Sequence, residues 1–269
     1  KLYFSMTQAE EQAHQQAVLF LAALLAPRRE LDYRARSAAV AHAQCLALNS
    51  LEATVESLRI VFRSAGIPHV PSACLRSPAI EKARTLAVQW ERLGIRTVGQ
   101  QELEAPRASF RDVPLLWFAY GKRELLSQPA VAVLNSRKSR HLSPRDLWIA
   151  TTKDLVRYAL HEGFAVVSSY GTPAYAVVSA LVKGSPLIAV CDNVLPFMDS
   201  ADARHRFLST YGDLFDQGNT VFVSGFAPGS MPDRAERLVQ RDHHVAALSG
   251  MLMVADVRPE GNMASVLSI

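Results

Sequence analysis

Cysteine is scarce in this chain, and the three present, Cys45, Cys74 and Cys191, are scattered with no C-x-x-C spacing. That excludes a metal knuckle or a disulfide scaffold and fits a reducing cytoplasm. Long apolar runs are missing too: residues 17–26 form an apolar stretch well short of the ~18–20 residues a membrane span needs. Nor does one sign of charge dominate. The formal net charge is +4, and residues 130–269 carry 13 Lys and Arg against 13 Asp and Glu. Any basic surface in that half must be a local patch. The sequence holds no G-x-S-x-G elbow, no H-E-x-x-H pair and no P-loop. His243 and His244 are adjacent, so on a helix they point about 100° apart and form no two-ligand face. Cys191 stands beside Asp192, whose carboxylate opposes thiolate formation. These absences argue against an enzyme and lead us to expect no metal and no cofactor.

What remains is an ordinary folded chain of 269 residues, 49% hydrophobic and 20% charged. Residues 1–5, KLYFS, resemble the remnant of a cleavable expression tag, with Met6 as the expected native start. Helical spacing of apolar residues predicts helices over 7–26, 33–48, 50–64 and 78–93. His14 and His42 fall on these helices and read as surface or partly buried residues. We take 6–105 as a helical N-terminal domain. From 106 the character changes. Leu115 to Tyr120 is rich in strand formers and Gly121-Lys122 makes a turn, so 106–127 reads as an entry strand and connection.

From there strand and helix alternate strictly. Short apolar runs bounded by turn residues mark strands at 130–134, 164–168, 186–191, 220–224 and 251–255. Amphipathic stretches at 146–161, 174–182, 202–211 and 233–248 separate them. This predicts an α/β domain over 106–269 with a doubly wound parallel sheet, preceded by the small all-helical domain. In such sheets ligands sit at the carboxyl ends of the strands. The loops there are small and polar: Asn135–Arg137, then Ser168, Ser169, Gly171 and Thr172, then Asp192-Asn193, Ser224-Gly225 and Asp256–Gly261. The first continues as Ser136, Arg137, Lys138, Ser139, Arg140 and His141, a cationic cluster suited to phosphate.

The order of motifs resembles the DprA/Smf family of DNA-processing proteins. Residues 113–134, VPLLWFAYGKRELLSQPAVAVL, with Asn135-Ser136-Arg137, are similar to that family's entry strand and its apolar strand closing on Gly-Ser/Thr-Arg. FAVVSSYG, LVKGSPLIAV, FVSGFAPGSMP and RDHHVAALSGMLMVAD follow in the family's order. The resemblance covers about 106–265 and implies an extended Rossmann-like domain that binds single-stranded DNA, forms a homodimer and helps to load a RecA-type recombinase during DNA uptake and recombination. It also adds Arg241 to the expected phosphate contacts. The departures are specific. Asn135 replaces a glycine, Thr172 and Tyr175 stand where the family has arginine and aspartate, and Asp242 and His243 follow Arg241. Glu260-Gly261-Asn262 replaces Ser-Gly-Ser, and Ile269 comes before a final strand the family adds.

Two readings stay open. In the first, the chain is a DNA-binding accessory without turnover, gripping phosphates through Ser136, Arg137, Lys138, Arg140, Ser168, Ser169, Gly171, Thr172, Ser224, Gly225 and Arg241. In the second, the same crevice senses or cleaves a nucleotide. The basic loop favours the first, because phosphates dominate nucleic-acid affinity and call for clustered Lys and Arg. Thr172 in place of arginine favours the second. No Pro-Gly-Gly-x-Gly-Thr loop of the nucleotide-cleaving relatives is present.

Overall fold

Four short runs with every residue buried make the middle of the molecule. They are β3 (Ala130–Asn135), β4 (Ala165–Ser168), β5 (Leu187–Val190) and β6 (Thr220–Ser224). A strand buried along its whole length must be covered on both faces, which is the signature of a parallel sheet under two helical layers. The computed structural model describes residues 7–25, 38–40, 51–65, 72–99, 102–103, 114, 116–136, 143, 145–198, 201–216, 218–226 and 233–268. Its sheet has seven strands in the order β1-β2-β6-β5-β4-β3-β7, with β1 Arg96–Gly99, β2 Leu116–Gly121 and β7 Met251–Asp256. β3 pairs in parallel with both β4 and β7.

The chain steps from β3 to β4, β5 and β6 in one direction, so right-handed crossovers put α4 (Leu147–His161), α5 (Pro173–Val182) and α6 (Ala201–Tyr211) on one face. The return from β6 to β7 runs the other way, and α7 (Arg234–Ala247) lies on the opposite face with α8 (Asn262–Leu267). The side chains divide accordingly. Val131, Val133, Val166, Ala189 and Phe222 pack on the first face, while Ala132, Leu134, Val167, Ile188 and Val223 pack on the second.

Three N-terminal helices extend the first layer: α1 (Gln8–Leu25), α2 (Leu51–Ser64) and α3 (Ser77–Arg92). A capping box opens α1, in which the Glu10 backbone N–H donates to Thr7 Oγ1 and the Thr7 backbone N–H donates to Glu10 Oε2. The predicted helix over 33–48 lies outside the described residues except for 38–40, which are helical. One continuous apolar cluster joins Ala17 of α1, Trp90 of α3, Phe118 of β2 and Met253 of β7.

Two features differ from the sequence-based expectation. The sheet is not wholly parallel, since β2 runs antiparallel to β6 and β1 antiparallel to β2. The cause is the short link between β2 and β3, a single 3-10 turn at Arg123–Ser127. A parallel crossover needs about a dozen residues or more, so β2 must itself run back to the edge where β3 begins. At its end Gly121 has φ 103°, and a Cβ there would collide with the Thr220 carbonyl. The second feature is that β1 and α8 carry no recognisable periodicity, being too short. The sheet takes in Arg96–Gly99, upstream of the boundary at 105/106 that the sequence suggests.

β1 is an edge strand, and the Gln15 side chain closes that edge as another strand would. Its Nε2 donates to the Thr97 carbonyl (2.9 Å), while its Oε1 accepts from the Thr97 backbone N–H (2.8 Å) and hydroxyl (2.7 Å). Both residues are buried. Replacing Gln15 with Leu removes all three hydrogen bonds at once, so we expect a loss of about 3 kcal/mol in urea unfolding. Hydrogen exchange at Thr97 should rise more than at β4.

Candidate functional site

All five parallel strands end on the same edge of the sheet. Adjacent strands whose following helices leave toward opposite faces open a crevice between their ends. Here that occurs twice: between β3 and β7, and between β5 and β6.

At the β3–β7 point, the backbone N–H of Ser136 donates to the Asp256 carbonyl (2.9 Å). Its Oγ accepts from the backbone N–H of Arg258 (2.6 Å), and its carbonyl accepts from Arg258 Nη2 (3.1 Å). Ser136 is therefore clamped across the gap, and the exposed Arg258 adds a guanidinium beside it. Arg258 was missed by sequence reasoning, which weighed its loop for small residues and for Asp256. The only signal was its place in a strand-end loop. Arg137, Lys138, Arg140 and His141, which follow Ser136, lie outside the described residues. The chain is described again at Ser143, whose N–H donates to Asp146 just before α4.

The serines on the other strand ends turn inward. Ser168 and Ser169 are buried, and the Ser169 hydroxyl donates to the Val190 carbonyl (2.6 Å). Ser179 of α5 donates to the Ser169 carbonyl (3.1 Å). Ser224 donates to the Asn193 carbonyl (2.6 Å) and accepts from the Phe226 N–H (3.0 Å). These hydroxyls tie β4 to β5 and β5 to β6. Gly225 is pressed against Pro114 and His244, where no side chain fits. His244 is a core residue rather than a surface one, edge-on to Trp117 at 5.0 Å between ring centres.

Over the same edge stands a buried polar cluster. Thr172 caps α5 by accepting from the Tyr175 N–H (3.4 Å), and Gly171 before it is exposed with φ 81°. The Tyr175 hydroxyl reaches across to the opposite layer and donates to Asp242 Oδ1 (2.8 Å). Arg241 grips the same oxygen through Nε (3.0 Å) and Nη2 (2.8 Å), and its guanidinium lies 4.7 Å from the Tyr175 ring centre. All three are 4% exposed. Burial works against the Arg241 cation, but the Tyr175 and Asp242 side chains outweigh it. The Arg241 guanidinium is thus turned to the protein. The cluster joins α5 to α7.

Near the end of β5, burial pushes the Cys191 thiol up to about 12, and a hydrogen bond from Tyr170 only partly offsets this. The Tyr170 phenol is likewise raised well above its ordinary value, first by burial and then by Cys191 and Asp192. Such a thiol is no nucleophile at neutral pH. Among the described residues no group of acids, histidines and cysteines could hold a metal ion, and no helix is long and apolar enough to cross a membrane.

A family model for DNA recombination-mediator protein A matches residues 96–265, starting at the first residue of β1. The chain belongs to that family. No curated protein sequence matches it. Among solved structures it is similar to DNA processing protein A from Helicobacter pylori, determined in a study of that protein's single-stranded DNA binding mode. The two are 18% identical over 65% of this chain and 74% of that one, with a TM-score of 0.47. DNA processing protein A from Streptococcus pneumoniae is 16% identical over 98% of this chain and 82% of that one, with a TM-score of 0.49. Within the DNA recombination-mediator protein A family, the departures seen in the sequence now have a geometry. Tyr175 donates to Asp242, and Thr172 serves as a helix cap.

Two outcomes test this account. Asp242→Ala removes the carboxylate bonded to a buried guanidinium and should cost about 3–5 kcal/mol. Tyr175→Phe removes one hydrogen bond to a charged acceptor, about 2 kcal/mol, in the same unfolding assay. The second outcome concerns pH. A raised folded value for Cys191 stabilises the fold at pH below the unfolded thiol's value of about 8.5. That contribution is lost as pH climbs toward about 12. Cys191 should resist a thiol reagent at pH 8 in the folded protein, and Cys191→Ser should flatten the loss of stability between these limits.

Proposed function

We propose that the chain binds single-stranded DNA without turnover, holding phosphates at the β3–β7 crevice. The observation that carries this reading is the clamp on Ser136. It anchors the start of the Arg137-Lys138-Ser139-Arg140-His141 stretch at a topological switch point, beside the exposed guanidinium of Arg258. Family membership supports the DNA-processing role, and the single-stranded DNA binding of the Helicobacter pylori protein is consistent with it. Arginine can take a phosphate with two parallel hydrogen bonds and lysine acts as a point charge. On this reading Arg137, Lys138, Arg140 and Arg258 touch the ligand and Ser136 positions them. Gly171 lets the backbone come close. Ser168, Ser169, Thr172, Ser224, Gly225 and Arg241 shape the edge through their internal bonds. Homodimer formation, hand-over to a RecA-type recombinase and a cytoplasmic site of action complete the proposal and rest on the family.

A nucleotide pocket at the same edge is the competing assignment. Tyr175 is buried against Asp242 and Arg241, and the Arg241 charge is already matched by Asp242, so the polymer reading is preferred.

Phosphate contacts carry no base information. Arg137→Ala with Lys138→Ala should therefore weaken binding to every single-stranded sequence alike. The salt slope should fall by about 0.7 for each phosphate that is no longer neutralised. Circular dichroism should show an unchanged fold. A folded double variant with unaltered affinity and slope removes this loop from the site. Intact DNA binding together with failure to bind free nucleotides assigns the loop to a nucleotide instead.

A further inference from the structure

Away from the β3–β7 crevice, a groove runs between α3 and α6. One part, about 330 Å³, is walled by Leu93, Phe197 and Leu208 and carries Arg204 and His205 on its rim. It meets a second hollow of about 560 Å³ at Gln89 and Leu93, and this part carries Arg84 and Arg92. Among the described residues no carboxylate lines either part. Arg84 and Arg92 share one face of α3, about 12 Å apart along its axis. Glu81 touches Arg84 at 3.5 Å, but both side chains are well exposed, so a phosphate can compete for it. The Arg204 guanidinium lies 5.9 Å from the centre of the buried Phe197 ring. Phe197 in turn stacks on Tyr120 at 4.0 Å. The groove thus pairs an apolar wall with three guanidinium groups.

Its position gives the groove a route. Phe197 belongs to the turn that follows β5, and Ala201 and Arg204 lie in the opening turns of α6. The Phe197–Arg204 end of the groove therefore lies toward the carboxyl edge of the sheet, the edge that also carries Ser136. We propose that a single strand held at the β3–β7 crevice continues into this groove, with phosphates on Arg84, Arg92 and Arg204 and unpaired bases against Leu93 and Leu208. This rests on the single-stranded DNA reading above and extends the binding surface to the N-terminal helices. Paired bases cannot turn toward the wall, so duplex is excluded from this part. An acidic polypeptide would satisfy the arginines equally but has no reason to follow the strand-end edge.

The test uses the full chain and fluorescence anisotropy with oligothymidylates of about 6 and about 20 nucleotides, below and above the reach of one site. Arg92→Ala with Arg204→Ala should weaken the long oligomer at least tenfold and lower its salt slope by about 1.4, leaving the short one unchanged. Arg92→Lys with Arg204→Lys should keep most of that slope. Equal affinity and slope for the long oligomer in the alanine pair overturns the groove. The loop variant Arg137→Ala with Lys138→Ala separates the two ideas. If it spares both lengths while the groove variant weakens the long one, the crevice reading falls and the groove stands. If it weakens both lengths while the groove variant changes neither, the groove falls and the crevice stands. Polyglutamate that displaces the long oligomer as well as a charge-matched oligothymidylate overturns the nucleic-acid assignment of the groove.

Discussion

The burial of both faces of the central strands is the constraint on which the rest depends. A strand such as β3, AVAVLN, offers water no polar side, so helices must cover it above and below. With right-handed crossovers, two covered faces require the chain to reverse direction in the sheet, and each reversal leaves a gap between neighbouring strand ends. The crevice beside Ser136 is therefore a consequence of hydrophobic burial. The fixed position of Ser136 follows from Arg258 and Asp256 across the same gap.

The polar residues over that edge show a division of labour. Where burial is deep, charge is neutralised internally: Arg241 and Asp242 answer each other and Tyr175 completes the set. A buried cation with its partner in place is bound to the protein, and stripping it for a phosphate would leave Asp242 uncompensated. Where the edge is open, Arg258 is exposed and has donors beyond the one spent on Ser136. Exposure, more than the identity of the residue, decides which arginines are available to a ligand.

Much of this was legible in the sequence, for physical reasons. Strands β3 to β6 announced themselves as apolar runs between turn residues, and α4 to α7 as amphipathic stretches, because both patterns are imposed by burial. The antiparallel pairing of β2 was not legible as a pattern. It follows from the length of the link after Gly121, a geometric limit that apolar periodicity does not express. β1 was hidden because its edge is closed by Gln15, a polar residue on a distant helix, and no local rule anticipates such a pairing. At the site, the strand-end loops were found from their small residues. The orientation of Ser168, Ser169 and Ser224 into the protein depends on acceptors more than 20 residues away, or on a neighbouring helix, and could not be read along the chain.

Charge is spread unevenly along the chain. The formal surplus of +4 lies wholly in residues 1–129, since residues 130–269 carry equal numbers of acids and bases. The α/β part alone therefore draws a polyanion only through local patches. Gln15 fixes α1 to β1, and α1 packs with α3 in one apolar cluster. On the single-stranded DNA reading, the helices are part of the binding surface, and the buried contact between Gln15 and Thr97 is what keeps them there.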